Sequence, residues 1–272
     1  MSGALPNGVV TLLTDFGTAD AYVGIMKGVA LGVHRDVCLI DLTHDIPPQA
    51  VAVGGLVLRG AVPFFPAGTV HCAVVDPGVG SARDAVAVVT ERAVLVGPDN
   101  GLLAPAAAAL GGVRDVFGLE NAALFRQPVS RTFHGRDVFA PVAAHLARGL
   151  DPAELGPRRA RMTPLSLAEP VISPAAARGE VIHVDRFGNL LTNLGADLLG
   201  ADLLDAFRGH RVSVTVAGMS AAALVATYAD AAPGALVALV SSWGTLEVAV
   251  RDGNAALQLG VGRGAAVVVA RE

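Results

Sequence analysis

Aromatic residues and charge are both scarce in this chain of 272 residues: Phe, Trp and Tyr make up 4% and Asp, Glu, Lys and Arg 16%. With so few rings, the core has to be packed from small aliphatic side chains. The 53% of hydrophobic residues supply enough of them to exclude wholesale disorder. Low charge leaves less polar surface than a monomer of this size usually carries, so part of the surface is expected to be covered in an oligomer. Basic runs are missing. The net charge is −4, and the densest cluster, Arg158, Arg159 and Arg161, reads as a solvated linker. A nucleic-acid-binding face is therefore not expected, since it needs a broad cationic surface to displace counterions. Only two cysteines occur, Cys38 and Cys72, each within an apolar run. That count excludes a disulfide framework, and buried free thiols account for both. Apolar runs are broken by charge, Gly or Pro before the ~18 residues that suggest a membrane span. The opening MSGALPNG lacks a basic segment followed by an apolar one, so a cytoplasmic protein is expected. The seven histidines include no HExxH and no close His–Cys grouping, so neither a metal nor another cofactor is expected.

What is present divides into two halves. The first alternates strand-like and helix-like segments. Strands are expected at 9–14, 37–42 and 69–75, with two short β-runs at 85–90 and 93–96 joined by a polar turn. Helices are expected at 20–34 (with Asp20 as a possible cap), 49–59, 102–110 and 138–150. This alternation predicts a mostly parallel sheet covered on both faces. Five prolines between 151 and 174 mark a linker. Beyond it the pattern is β-rich, with strands expected at 180–184, 190–194, 211–216, 236–241, 245–251 and 265–270 and one short helix at 196–207. The expected fold is α/β: an N-terminal α/β domain (1–157) with a mostly parallel central sheet, a linker (158–174), and a smaller all-β, barrel-like C-terminal domain (175–272).

Ligands of open α/β sheets gather outside the carboxyl ends of the strands. Two acids stand where apolar strands end, Asp15 after VVTLLT and Asp76 after TVHCAVV, each soon followed by glycine. They are either ligand groups or turn formers. Asp76 and Arg83 bracket the tight loop DPGVGSAR, where they could meet across its mouth or form a surface salt bridge. Gly78 and Gly80 do not make a dinucleotide loop, because the third glycine and the following helix are missing, and no GxxxxGK[ST] occurs. A nicotinamide oxidoreductase is therefore the least favoured enzyme class. His134 lies in RTFHGRD, just ahead of a helix for which Asp137 is a plausible N-cap; it is either a solvent-facing loop residue or a catalyst.

Eight segments carry a resemblance. They are LTDFG (13–17), DLTHDIP (41–47), FFPAGT (64–69), VDPGVG (75–80) leading to Arg83, GPDNGLL (97–103), TFHGRD (132–137), DRFGN (185–189) leading to Thr192 and Asn193, and SSWG (241–244). In this order the chain resembles the SAM hydroxide adenosyltransferases, hydrolases of S-adenosyl-L-methionine (SAM) related to the fluorinase and chlorinase. One departure is Ser241, where the family pattern usually begins with Asn. The resemblance implies hydrolysis of SAM to adenosine and L-methionine, with catalytic groups at Asp76, Arg83 and His134; the halogenating relatives carry tyrosines at the positions of Asp76 and His134. Either Asp76 or His134 would take the proton of the attacking water. The resemblance further implies that Asp15 binds the ribose hydroxyls, Asn189 the adenine edge, and Asp185 and Ser242 the methionine amino and carboxylate ends. It also implies a homotrimer whose sites lie at subunit interfaces, with no cofactor, since SAM is the substrate. A SAM-dependent halogenase and a non-catalytic adenosine or SAM sensor are the alternatives.

Overall fold

The structure, a computed structural model, describes residues 5–166, 168–173, 175–195, 212–221 and 223–271. The chain divides into two compact units, Met1–Ser166 and Leu167–Glu272. The helix expected at 196–207 lies outside the described residues.

The first unit is built on a seven-stranded sheet. Its strands are β1 (Val9–Thr14), β2 (Cys38–Thr43), β3 (Val70–Val74), β4 (Ala85–Thr90), β5 (Val94–Pro98), β6 (Val113–Gly118) and β7 (Arg158–Arg159), in the order β2-β1-β3-β5-β4-β6-β7. Pairs β1–β2, β1–β3 and β3–β5 are parallel, whereas β4 and β7 run against their neighbours. Helices α1 (Tyr22–Val33) and α4 (Ala140–Ala147) pack together, as do α2 (Val51–Ala61) and α3 (Ala104–Ala109). One apolar layer joins Val10, Leu12, Met26, Phe139, Val142 and Leu146. A second joins Leu13, Leu58, Val75, Leu95 and Leu102. Leu12 and Leu13 thus point to opposite faces, both buried, which is why this strand reads as a continuous apolar run rather than an alternating one. From β1 the chain passes through α1 to β2 on one side, then through α2 back to β3 on the other. The gap between the carboxyl ends of β1 and β3 is therefore a topological switch point.

Several local expectations change. Helix α1 starts with Ala21 at its N-cap and no side-chain cap, so Asp20 does not cap it. Strand β6 is absent from the sequence reading, because the charges of Arg114 and Asp115 interrupt its apolar pattern. Arg158 and Arg159 are not linker: they form β7 against β6, and Arg159 bridges Asp84 and Glu120. Cys72 is buried and its thiol is pushed up to about 12 by desolvation, but Cys38 is exposed at the start of an edge strand.

In the second unit the described strands are β8 (Val171–Ile172), β9 (Ala176–Val184), β10 (Leu190–Gly195), β11 (Val212–Val216), β12 (Met219–Ala221), β13 (Ala223–Leu224), β14 (Leu236–Val240), β15 (Thr245–Val250) and β16 (Ala266–Arg271). They pair antiparallel in the order β12-β11-β16-β9-β10-β15-β14, with β13 added parallel to β14 and β8 paired to β9. The sheet curls around Val181, Leu190, Leu194, Val214, Val248 and Val267. Period-two alternation of buried and half-exposed residues in β11 is what an antiparallel strand with one covered face requires. No helix of the described residues is long and apolar enough to cross a membrane.

Candidate active site

The loop after β3 is shaped by its own backbone. The Val79 N–H donates to the Asp76 carbonyl at 3.2 Å, and Ser81 Oγ donates to the Gly78 carbonyl at 2.7 Å while accepting the Arg83 N–H at 3.2 Å. Gly80 sits at φ +77°, and a Cβ there would strike the carbonyl oxygen of Arg131, so only glycine admits this approach of two loops. The fold of the loop turns Arg83 back onto Asp76. Arg83 Nε donates to Asp76 Oδ1 at 2.9 Å, and Nη2 donates to Oδ2, a two-pronged pair. Their side chains are only 12% and 5% exposed, which rules out the surface salt bridge left open by the sequence.

His134 completes the cluster. Its Nδ1 lies 2.9 Å from Arg83 Nη2. A guanidinium only donates, so Nδ1 accepts, and the neutral imidazole carries its proton on Nε2. Partial burial holds the His134 pKa below its usual value. The Arg83 charge adds to this, and Asp76 and Asp137 oppose it. Phe139, fully buried, lies under Arg83 with its ring centre 5.3 Å from the guanidinium carbon.

His134 is presented by a π-helical turn, Gly135–Phe139, that runs into α4. Asp137 is not the expected N-cap. It is buried within that turn and accepts from Arg136 Nε (2.6 Å) and Nη2 (2.7 Å), the Ser130 N–H (2.8 Å) and Arg126 Nη1 (3.3 Å). Burial pushes its carboxyl up, but these donors outweigh it and hold the pKa below the usual value. The carboxylate pins the preceding loop, which supplies Ser130 and Arg126, to the turn that bears His134.

Asp15 follows β1 beside this cluster. Thr14 pairs with Val74, so the two chains leave their parallel strands side by side at Asp15 and Val75. Asp15 Oδ2 accepts the Gln49 N–H at 2.8 Å. Phe16, Tyr22 and Phe133 form an edge-to-face trio at 5.2–6.0 Å between ring centres. Asn100 Nδ2 donates to the Val75 carbonyl at 2.9 Å and braces the strand end before Asp76. Phe139, the trio and Asn100 are not in the sequence-predicted set. Phe16, Phe133 and Asn100 lie inside three of the motifs, which was the available signal.

In the second unit Asp185 and Asn189 come together in one turn. Asp185 Oδ1 accepts the N–H groups of Phe187 and Asn189, both at 2.9 Å, and Oδ2 accepts Asn189 Nδ2 at 2.9 Å. Gly188, at φ +85°, allows the turn, since a Cβ there would collide with the Asn254 side chain. Asn189 is left with its Oδ1 and one amide N–H for a ligand. Ser242 is exposed in the turn joining β14 to β15, where the Ser241 hydroxyl accepts the Trp243 N–H at 3.2 Å. Glu247, outside the sequence-predicted set, is a buried acid on β15 that takes a 2.6 Å hydrogen bond from Tyr228. Burial raises its pKa and Asp185 adds to the rise, against the Tyr228 hydrogen bond. Among the described residues, no group of three His, Cys, Asp or Glu could hold a metal ion.

A carboxylate, a guanidinium and an imidazole converging at the switch point of an open α/β sheet, in a chain that continues into a curled β unit, define an enzyme built for polar chemistry on a small molecule. The chain belongs to the SAM hydroxide adenosyltransferase family, whose N-terminal domain matches residues 10–156 and whose C-terminal domain matches residues 179–268. It is 45% identical to a protein of Salinispora tropica named (R)-S-adenosyl-L-methionine hydrolase, covering 94% of this chain and 95% of that one. A fluorinase of Nocardia brasiliensis is 26% identical, covering 89% of each. A solved structure of an uncharacterised conserved protein from Thermotoga maritima superimposes with a TM-score of 0.89 at 37% identity, over 96% of this chain and 100% of that one.

Proposed function

We propose that this chain hydrolyses S-adenosyl-L-methionine to adenosine and L-methionine by attack of one water on the ribose 5′ carbon. The observation that carries the reading is the cluster in which Arg83 contacts both Asp76 and His134 at the carboxyl edge of the first sheet. The chemistry asks little of the leaving group. As the new C–O bond forms, the C–S bond breaks and its electron pair neutralises the sulfonium, so methionine departs as an uncharged thioether. What the enzyme supplies is alignment, worth ~7–11 kcal/mol in the best intramolecular models, and a place for the proton of water.

Roles follow from donor and acceptor inventory. With Nδ1 occupied by Arg83, His134 offers Nε2–H to the water oxygen and fixes its direction. Asp76 is the proton acceptor, through lone pairs that Arg83 leaves unused. Arg83 keeps Asp76 ionised and offsets negative charge on the attacking oxygen. A halide ion has no proton to offer Asp76, so the pairing favours water over halide. Asp15 accepts the ribose hydroxyls, Asn189 meets the adenine edge, and Asp185 and Ser242 meet the methionine amino and carboxylate ends. The working form is a cytoplasmic homotrimer without cofactor, in which Asp15, Asp76, Arg83 and His134 of one subunit face Asp185, Asn189 and Ser242 of its neighbour.

Incubation with SAM in oxygen-18 water tests the reading. The expected product is adenosine labelled at its 5′ hydroxyl, with one methionine released per label. A halogenated nucleoside formed in fluoride or chloride would replace the reading with halogenation. Bound nucleoside with no methionine released would replace it with a sensor.

A further inference from the structure

The DLTHDIP segment at 41–47 has no part in the chemistry above, yet it is wound around the loop that carries Asp15. β2 ends at Thr43 beside β1, which brings His44, 4% exposed, under the end of β1. His44 Nδ1 lies 2.8 Å from the hydroxyl of fully buried Thr14. That hydroxyl already accepts the Phe16 N–H at 3.2 Å. Nε2 of the neutral ring faces the Asp41 carboxylate, which only accepts, so the imidazole proton sits on Nε2 and Nδ1 takes the hydrogen of the Thr14 hydroxyl. Nε2 lies 3.1 Å from Asp41 Oδ1, at ion-pair distance though off the line of a good hydrogen bond, and Asp41 Oδ2 meets Lys27 Nζ of α1 at 2.6 Å.

The chain of contacts thus runs with one polarity, from the Phe16 N–H through Thr14 and His44 to an anchored carboxylate at the surface. Two further bonds tie the same segments together. The His44 carbonyl accepts the Gly17 N–H at 2.8 Å, and Asp15 Oδ2 accepts the Gln49 N–H at 2.8 Å. Gln49 holds φ +65°, a left-handed conformation that non-glycine residues rarely adopt. Residues on both sides of Asp15, and Asp15 itself, are fixed from the 44–49 segment.

We propose that His44, backed by Asp41 and Lys27, is the positioning residue that aims Asp15 at the sugar hydroxyls of the substrate. The proposal rests on the reading that Asp15 binds those hydroxyls. His44 touches neither substrate nor reacting atoms. Its effect is on substrate binding, and it depends on the hydroxyls being present.

The test is calorimetric binding of adenosine and 2′,3′-dideoxyadenosine to the full chain, with KM and kcat for SAM measured alongside. Asp15→Asn is the reference variant and should weaken adenosine but not the dideoxynucleoside; if it weakens neither, the reading of Asp15 fails and takes the proposal with it. If that reference holds, His44→Leu should weaken adenosine by about tenfold, the loss typical of one well-placed hydrogen bond. Dideoxyadenosine should change little, and KM should rise more than kcat falls. His44→Asn should restore most of the loss, since its amide oxygen can accept from Thr14. Thr14→Val breaks the same bond from the other end and serves if His44→Leu does not fold. Equal weakening of both nucleosides, or of neither, with Asp15→Asn behaving as expected, overturns the proposal.

Discussion

The two groups of polar site residues are held in opposite ways. At the carboxyl end of β3, Asp76 meets Arg83 seven positions away and Arg83 meets His134 fifty-one positions away. In the second unit Asp185 and Asn189 bond each other across only four positions. The first arrangement exists only once β3, the 76–83 loop and the turn ahead of α4 are in place, and its charged side chains are mostly withdrawn from solvent. The second is a local turn between β9 and β10, with Arg186 and Phe187 exposed at its tip. Buried charges that depend on distant partners fail together when one is removed, whereas a local turn degrades one bond at a time.

The strongest way to break this comparison is Arg83→Ala. It strands a carboxylate that is 5% exposed and releases His134 Nδ1. Turnover should fall by about 10²–10³-fold, as when one preorganised charge-stabilising donor is lost. Asp76→Ala should cost a similar factor, and the double variant little more than either alone, because both remove one unit. Steady-state kinetics on the three variants checks this. Additive losses would mean that the two side chains act independently.

His134 sharpens the same side of the comparison. Burial and the Arg83 charge hold its pKa below the ordinary 6.5, so it is neutral at pH 7. Only the neutral ring can accept from Arg83, so activity needs the deprotonated form. The rate should stay level as pH falls through 6.5 and drop only further into the acid range. His134→Ala should lower kcat by about 10²-fold, the low end for loss of one preorganised hydrogen-bond donor, and should erase the His134-dependent part of that acid limb. A fall centred at or above pH 6.5 would contradict the Arg83–His134 contact.

How much of this was legible in the sequence depends on the range of each interaction. Asp15 and Asp76 were legible because an apolar strand that ends in an acid, within an alternating α/β pattern, already points to the ligand edge of the sheet. The Asp76–Arg83 pair was legible as two charges bracketing a glycine turn. His134 was found through its motif, since nothing in a loop sequence shows that a guanidinium fifty-one positions earlier will face it. Asp137 reads as a cap for the same reason. Its partners Ser130 and Arg126 belong to the preceding loop, and only the tertiary fold folds that loop back onto the π-helical turn. Phe139 looked like one more core residue of a helix, and its place beneath Arg83 follows from packing that no periodicity encodes. Glu247 was invisible because its partner Tyr228 lies nineteen positions away on the far side of β14.

A smaller effect is expected on the second unit. Asp185→Ala removes three accepted hydrogen bonds from the turn that aims Asn189, but the turn is short and near solvent. KM for SAM should rise by about tenfold, equivalent to ~1.4 kcal/mol, with kcat changed less. A kcat loss as large as that of Arg83→Ala would erase the distinction between the two groups.

Ser242→Ala should have the smallest effect. The side chain is exposed, and the turn that carries it is closed by Ser241, whose carbonyl accepts the Gly244 N–H at 2.9 Å and whose hydroxyl accepts the Trp243 N–H. Losing the Ser242 hydroxyl leaves that turn intact and removes one contact to a charged end of the substrate. A hydrogen bond at a wet site contributes about 0.5–1.5 kcal/mol, so KM for SAM should rise by roughly two- to tenfold. Affinity for adenosine, which lacks the methionine end, should not move. Comparing the two ligands on one variant separates contact with methionine from damage to the turn. Equal weakening of both would show that Ser242 shapes the β14–β15 turn, and would assign the methionine end to other residues.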